Sequence, residues 1–118
     1  MATPEGRVKA KLKGILTQYA GIYTYWPVPS GYGSTTLDVL GCYRGRFFAV
    51  ETKAEDKKPT LRQTGDLHSI ERSMGATFVI IGMSSPVFDD LIAWLEMIRL
   101  TVPDDPHFTP DPVARRAI

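Results

Sequence analysis

"TLDVLGCYRGRFFAVETK", residues 36–53, decides how this chain is read. Two runs of apolar and β-branched residues flank Arg44-Gly45, a pattern that predicts a β-hairpin closed by a short turn. Side chains alternate faces along a strand. Phe47, Ala49, Glu51 and Lys53 therefore share one face, and Phe48, Val50 and Thr52 the other. Folding the hairpin symmetrically sets Tyr43 against Arg46, Cys42 against Phe47 and Leu40 against Ala49. The same register puts Asp38 directly opposite Glu51, where Cβ atoms stand about 4.5–5.5 Å apart.

Two carboxylates so placed repel each other, and their surroundings are apolar: Leu37, Val39 and Leu40 on one strand, Ala49 and Val50 on the other. A cation between them would remove the conflict. Oxygen ligands from one or two carboxylates, with the remaining positions left to water and phosphate, describe a Mg²⁺ site, with the Thr52 carbonyl close enough to contribute. Lys53 could hold or help deprotonate an attacking water, or neutralise a phosphate oxygen. The chemistry expected is metal-assisted phosphodiester hydrolysis. A Glu-x-Lys triplet by itself reads more simply as a salt bridge on a solvated strand. The opposed Asp38 and the apolar flanks argue against that here.

Outward from the hairpin, Thr3-Pro4-Glu5 predicts a helix start: a capping hydroxyl, Pro at the first helical position, and an acid near the positive dipole end. Val8, Leu12, Ile15, Leu16 and Tyr19 follow at helical spacing, Gly21 ends the segment, and Arg7, Lys9, Lys11 and Lys13 lie mostly off that stripe. "IYTYWPV" predicts a first strand, in which Tyr23, Tyr25 and Trp26 are expected in the core. "PSGYGST", residues 29–35, predicts a loop. After the polar "AEDKKP" loop, Thr60 and Gln63 fit a capping box, with Leu67, Ile70 and Met74 as the apolar face before Gly75, and Gly65 weakening the helix. "ATFVIIG" predicts a strand buried on both faces. Ser85-Pro86 opens a last helix with Phe88, Leu91, Ile92, Leu95 and Ile98 on a wide apolar face. The expected class is α/β, a mixed sheet flanked by helices in the order α-β-β-β-α-β-α. A single domain is expected over residues 1–100, and a Pro-rich tail, extended or mobile, over 101–118.

With 118 residues, 43% apolar and 23% charged, the composition is that of one soluble globular domain. A net charge of +1 excludes a chain-wide nucleic-acid footprint, so any basic surface must be local. The lone Cys42, expected as a small core residue, suits a reducing compartment. Met1 to Arg7 lack a signal-peptide core and no apolar run is long enough to span a bilayer, so a cytosolic protein without membrane contact is expected. His68 has no second His or Cys at metal-ligand spacing and is read as a surface or half-buried residue. Lys57 and Lys58 after the acidic strand, and Arg62 on the next helix, are candidate contacts for DNA phosphates, whereas Arg44 and Arg46 lie at the far end of the hairpin.

Asp38 followed by Glu51-Thr52-Lys53 resembles the D…(D/E)xK signature of PD-(D/E)XK nucleases. Glu5 in the first helix, a glycine loop before the acidic strand, Gln63 early in the next helix and "MGATFVIIG" after it make the chain similar to the virus-type replication-repair nuclease (VRR-NUC) family over residues 3–83. The chain departs from that family at Leu37, where proline is usual. The resemblance implies a restriction-endonuclease-like core and a Mg²⁺-dependent endonuclease, with Mn²⁺ expected to substitute. It implies Asp38, Glu51 and the Thr52 carbonyl as metal ligands and Lys53 as the catalytic lysine. Glu5 and Gln63 would sit at the site edge, Glu5 as a direct or water-bridged ligand. It further implies branched DNA such as four-way junctions as substrate, a role in DNA repair or recombination, and, for a phage or prophage protein, the bacterial cytoplasm.

Glu5 and Gln63 are read equally well as a dipole-complementing acid and as the partner of the Thr60 cap. A homodimer is expected, because paired cuts suit a two-fold axis and because Trp94 widens the last apolar face while Tyr23-Thr24-Tyr25-Trp26 could form an edge. Two other classes remain as readings of the same residues: an inactive DNA-binding module on a nuclease-like fold, and a structural or interaction domain.

Overall fold

The computed structural model describes residues 3–28 and 36–104. Its elements are α1 (Pro4–Leu16), β1 (Tyr23–Tyr25), β2 (Val39–Tyr43), β3 (Arg46–Lys53), α2 (Leu61–Arg72), β4 (Ala76–Ile81) and α3 (Val87–Thr101). The strands form one sheet in the order β1-β2-β3-β4, antiparallel across the first three and parallel between β3 and β4. This is a mixed α/β structure with a four-stranded mixed sheet flanked by helices.

Local chemistry accounts for each boundary. The Thr3 hydroxyl accepts from the Gly6 N–H at 2.9 Å and starts α1. Arg44 and Gly45 both hold positive φ, 47° and 86°, the geometry a two-residue hairpin turn requires. Thr60 and Gln63 form a reciprocal capping box at the start of α2. The Ser85 hydroxyl accepts from the Val87 N–H at 3.1 Å in the turn that leads into α3, whose N-cap residue is Pro86. At the other end of α3 the Arg44 guanidinium donates to the carbonyls of Arg99 (2.9 Å) and Val102 (2.8 Å), tying the hairpin tip to the helix.

The alternation read in β3 is what builds the layers. Phe48 and Val50 pack with Val39, Tyr43 and Ile80 against α1 and α3, through Val8, Leu12, Leu16, Leu91, Leu95 and Ile98. Ala49 faces the other way and joins Leu37 and Leu67 of the α2 side. Gly41 sits opposite Phe48 in the register. A Cβ on Gly41 would meet the Phe48 ring at 2.4 Å and the Tyr23 carbonyl oxygen at 2.7 Å. Gly41→Ala is expected to lower stability by at least about 1 kcal/mol, read as a fall in denaturation midpoint.

Several expectations are corrected. Tyr23 and Tyr25 are 63% and 52% exposed, because β1 is a three-residue edge strand, and only Trp26 packs partly against the core. β4 is half-buried rather than buried on both faces, since it forms the opposite edge and only Ile80 is fully covered. Cys42 is half-buried beside an exposed Phe47, close to the hairpin tip. Met74 leaves the apolar face of α2: it follows the helix with φ 71° and is almost fully exposed. Trp94 is half-buried, its ring meeting Phe48 and Phe78 edge-on at 5.7 and 5.6 Å within the chain. Trp94→Asp would therefore disturb packing within the chain as well as any interface, while Ile92 stays half-buried and Met97 and Leu100 of α3 are exposed. α3 continues through Thr101 and Val102 packs on the core. The loop expected at residues 29–35 and the tail from 105 onward lie outside the described residues. Among the described residues, no helix is long and apolar enough to cross a membrane.

Candidate metal centre

The hairpin register holds as far as Val39 opposite Val50, and there β2 ends. Beyond it side chains replace the ladder. The Asp38 N–H donates to Glu51 Oε1 at 3.0 Å. The Thr52 N–H donates to Asp38 Oδ2 at 2.8 Å, and the Thr52 hydroxyl donates to the same oxygen. The chain bends at Asp38: Leu37 packs on the α2 side whereas Val39 packs on the α1 side, although simple alternation would give both the same face. This bend alters the arrangement read from sequence. The ladder does not extend to an Asp38–Glu51 pair, and the Asp38 carboxylate turns to Thr52 and to Lys9 of α1, whose ammonium lies 3.7 Å from Oδ1. It does not simply face the Glu51 side chain.

Glu51 is 1% exposed at the end of β3. Its carboxyl pKa is pushed up from 4.5 to about 7, first by burial and then by the Asp38 charge; the hydrogen bond and charge of Lys53 and the Asp38 N–H pull the other way. Lys53 Nζ lies 3.1 Å from Glu51 Oε2 and 4.0 Å from Glu5 Oε1. Lys53 is thus largely buried between a covered carboxylate and a half-exposed one, and the first turn of α1 is drawn to the site. Glu5 is half-exposed and stands at the rim of this cluster.

Gln63 is buried at the other edge. Its Oε1 accepts from the Thr60 N–H, and its Nε2 donates to the Thr36 carbonyl at 3.4 Å. It ties α2 to the segment that delivers Asp38. Gln63→Ala is expected to cost about 0.5–2 kcal/mol, as loss of a helix cap does, seen in chemical denaturation. Lys57, Lys58 and Arg62 are exposed, and none forms an ion pair among the described residues. His68 is exposed as well.

Two contributions escaped the sequence reading. Thr52 entered only through its carbonyl, whereas its N–H and hydroxyl grip Asp38. Lys9 belongs to the lysines that lie off the apolar stripe of α1. Its spacing from Glu5, one helical turn, was the signal that could have placed it beside the site.

Among the described residues no group of three or more His, Cys, Asp and Glu side chains gathers, so any cation here would rely on two carboxylates. The donors fit a hard divalent ion: all are oxygens, Glu51 is desolvated next to a second acid, and Asp38 Oδ1 and Glu51 Oε2 are held only by lysine ammonium groups. A cavity of about 330 Å³, lined by Pro4, Arg7, Glu55, Gly82 and Ser84 among others, adjoins the site through the Gly82 N–H bonded to the Lys53 carbonyl. The larger cavity, about 740 Å³ along Arg46, Phe47, Met74 and Trp94, lies at the opposite end of β3 and takes no part in this chemistry. No family model matches this chain, and no curated protein matches it.

Proposed function

We propose that this protein is a divalent-metal-dependent endodeoxyribonuclease of the PD-(D/E)XK type, similar to the VRR-NUC family. The observation that carries the reading is Glu51, a buried strand-end carboxylate with raised pKa between Asp38 and Lys53. Asp38 and Glu51 would hold Mg²⁺ or Mn²⁺, with the Thr52 carbonyl as a further ligand and Glu5 acting through water. A cation so held supplies Lewis-acid polarisation of a phosphate oxygen and a more acidic water. Thr52 orients Asp38 through its N–H and hydroxyl. Lys53 orients the attacking water or neutralises a phosphate oxygen, and its two carboxylate neighbours keep the ammonium in place. Gln63 positions the Asp38 segment. Lys57, Lys58 and Arg62 would meet backbone phosphates beyond the scissile bond, a contribution that salt weakens.

The proposed substrate is structured or branched DNA, such as a four-way junction, cut by a homodimer. The exposed β1 edge, through Tyr23 and Tyr25, and the outer side of α3, through Met97 and Leu100, are apolar surfaces available for that pairing. Incubation with plasmid, single-stranded, flap and four-way-junction DNA, with Mg²⁺, Mn²⁺ or excess EDTA, tests the reading. Cleavage confined to the metal-containing arms is expected, and undiminished cleavage in EDTA would sink it. Light scattering that finds a monomer at tens of micromolar, together with efficient paired cutting, would remove the dimer.

One observation favours a second reading. Each acid already has a lysine partner, Lys9 for Asp38 and Lys53 for Glu51. A self-compensated cluster of this kind also suits an inactive DNA-binding module or a structural domain, and a metal titration that shows no binding would select it.

A further inference from the structure

We infer that Lys9 is the resident counter-ion of Asp38 and competes with a divalent cation for its carboxylate, setting the site's metal affinity. This rests on reading Asp38 and Glu51 as the metal-holding acids, and extends it to a residue with no role in that reading.

The argument starts from how the Asp38 oxygens are used. Oδ2 is committed to the N–H and hydroxyl of Thr52, a fully buried residue. Oδ1 is the oxygen left for a cation, and the Lys9 ammonium stands 3.7 Å from it. Lys9 is directed there by its surroundings. α1 is pinned by its buried Val8 and Leu12, and the ammonium also lies 5.9 Å from the centre of the Trp26 ring, so it rests between an aromatic face and a carboxylate. Lys53 guards the other acid in the same manner, at 3.1 Å from Glu51 Oε2. The two lysines differ in mobility. Lys53 ends a buried strand between two acids, whereas the Lys9 side chain is 40% exposed and can swing into solvent. An ammonium at this distance repels an incoming divalent ion and occupies one of its donors, so its removal should tighten metal binding while leaving the acids in place.

The test is calorimetric titration of the 118-residue chain with Mg²⁺ alone, without DNA, on the parent, Lys9→Met, Lys9→Gln and Lys9→Arg. Both neutral variants are expected to bind Mg²⁺ roughly 3–10-fold more tightly, the range a partly exposed charge pair can carry. Lys9→Arg, which keeps the charge, is expected to stay within about twofold of the parent. A purely structural Lys9 would give equal or weaker binding in both neutral variants, and that result overturns the inference while leaving the metal reading intact. An absence of Mg²⁺ binding in the parent and in all three variants overturns both together. Binding seen only in the neutral variants supports the inference. Far-ultraviolet circular dichroism on each variant confirms the fold, and two neutral substitutions keep the outcome readable should one of them misfold.

Discussion

Lys53→Ala is expected to lower Mg²⁺-dependent DNA cleavage by roughly 10²–10⁴-fold, the range that loss of a positioned proton-transfer or charge-stabilising group gives. The expectation follows from where the ammonium is held. It is largely buried, within 3.1 Å of Glu51 and 4.0 Å of Glu5, and these contacts hold the charge in one place before any substrate arrives. Metal binding should survive, since the acids remain, and affinity should if anything rise as a positive charge leaves. Lys53→Arg is not expected to rescue, because a planar guanidinium places its donors differently from a compact ammonium. Asp38→Ala and Glu51→Ala should abolish cleavage and metal response together. The separation of the two responses is the informative part. A Lys53→Ala protein that cuts at near parental rate would make the lysine a structural ion-pair partner and leave the nuclease reading with little support.

The hairpin was legible because its signals are local. Alternation and the Arg44-Gly45 turn together specify the register, and that register places Val50 across from Val39. Helix starts were legible for the same reason, since Thr3 and Thr60 act on groups three residues away. What was not legible depends on partners distant in sequence. Exposure of Tyr23 and Tyr25 follows from β1 being an edge, which no local pattern states. Trp94 could not be assigned to the core without Phe48 and Phe78 beside it. Within the candidate site, the residue types were read from the strand, but the bend at Asp38 was not. It arises where β2 stops and a carboxylate takes over as acceptor for the Thr52 N–H. Strand alternation predicts faces only while the ladder continues, so the orientation of the last acid lay beyond it.

Glu51→Gln is expected to stabilise the metal-free protein at pH 8 by about 3 kcal/mol, and to have little effect at pH 4. The sign follows from the direction of the shift. The Glu51 carboxyl titrates near 4.5 in the unfolded chain and at about 7 in the folded one. Between those values the native state holds a proton that the unfolded state has lost, so stability is full below about 4.5, falls as pH rises, and levels off once pH has passed about 7. Glutamine keeps an oxygen for the Asp38 N–H and removes the ionisation, so the variant should lose that slope. The loss of the Lys53 contact works against the gain, although Lys53 keeps Glu5 within 4.0 Å. Chemical denaturation of parent and variant across pH 4 to 8 reads both curves. If the parent shows no greater fall in stability than Glu51→Gln over that window, Glu51 is not held in a destabilised ionised state. The strain attributed to its burial beside Asp38, and with it the physical motive for a cation at this strand end, would then be absent.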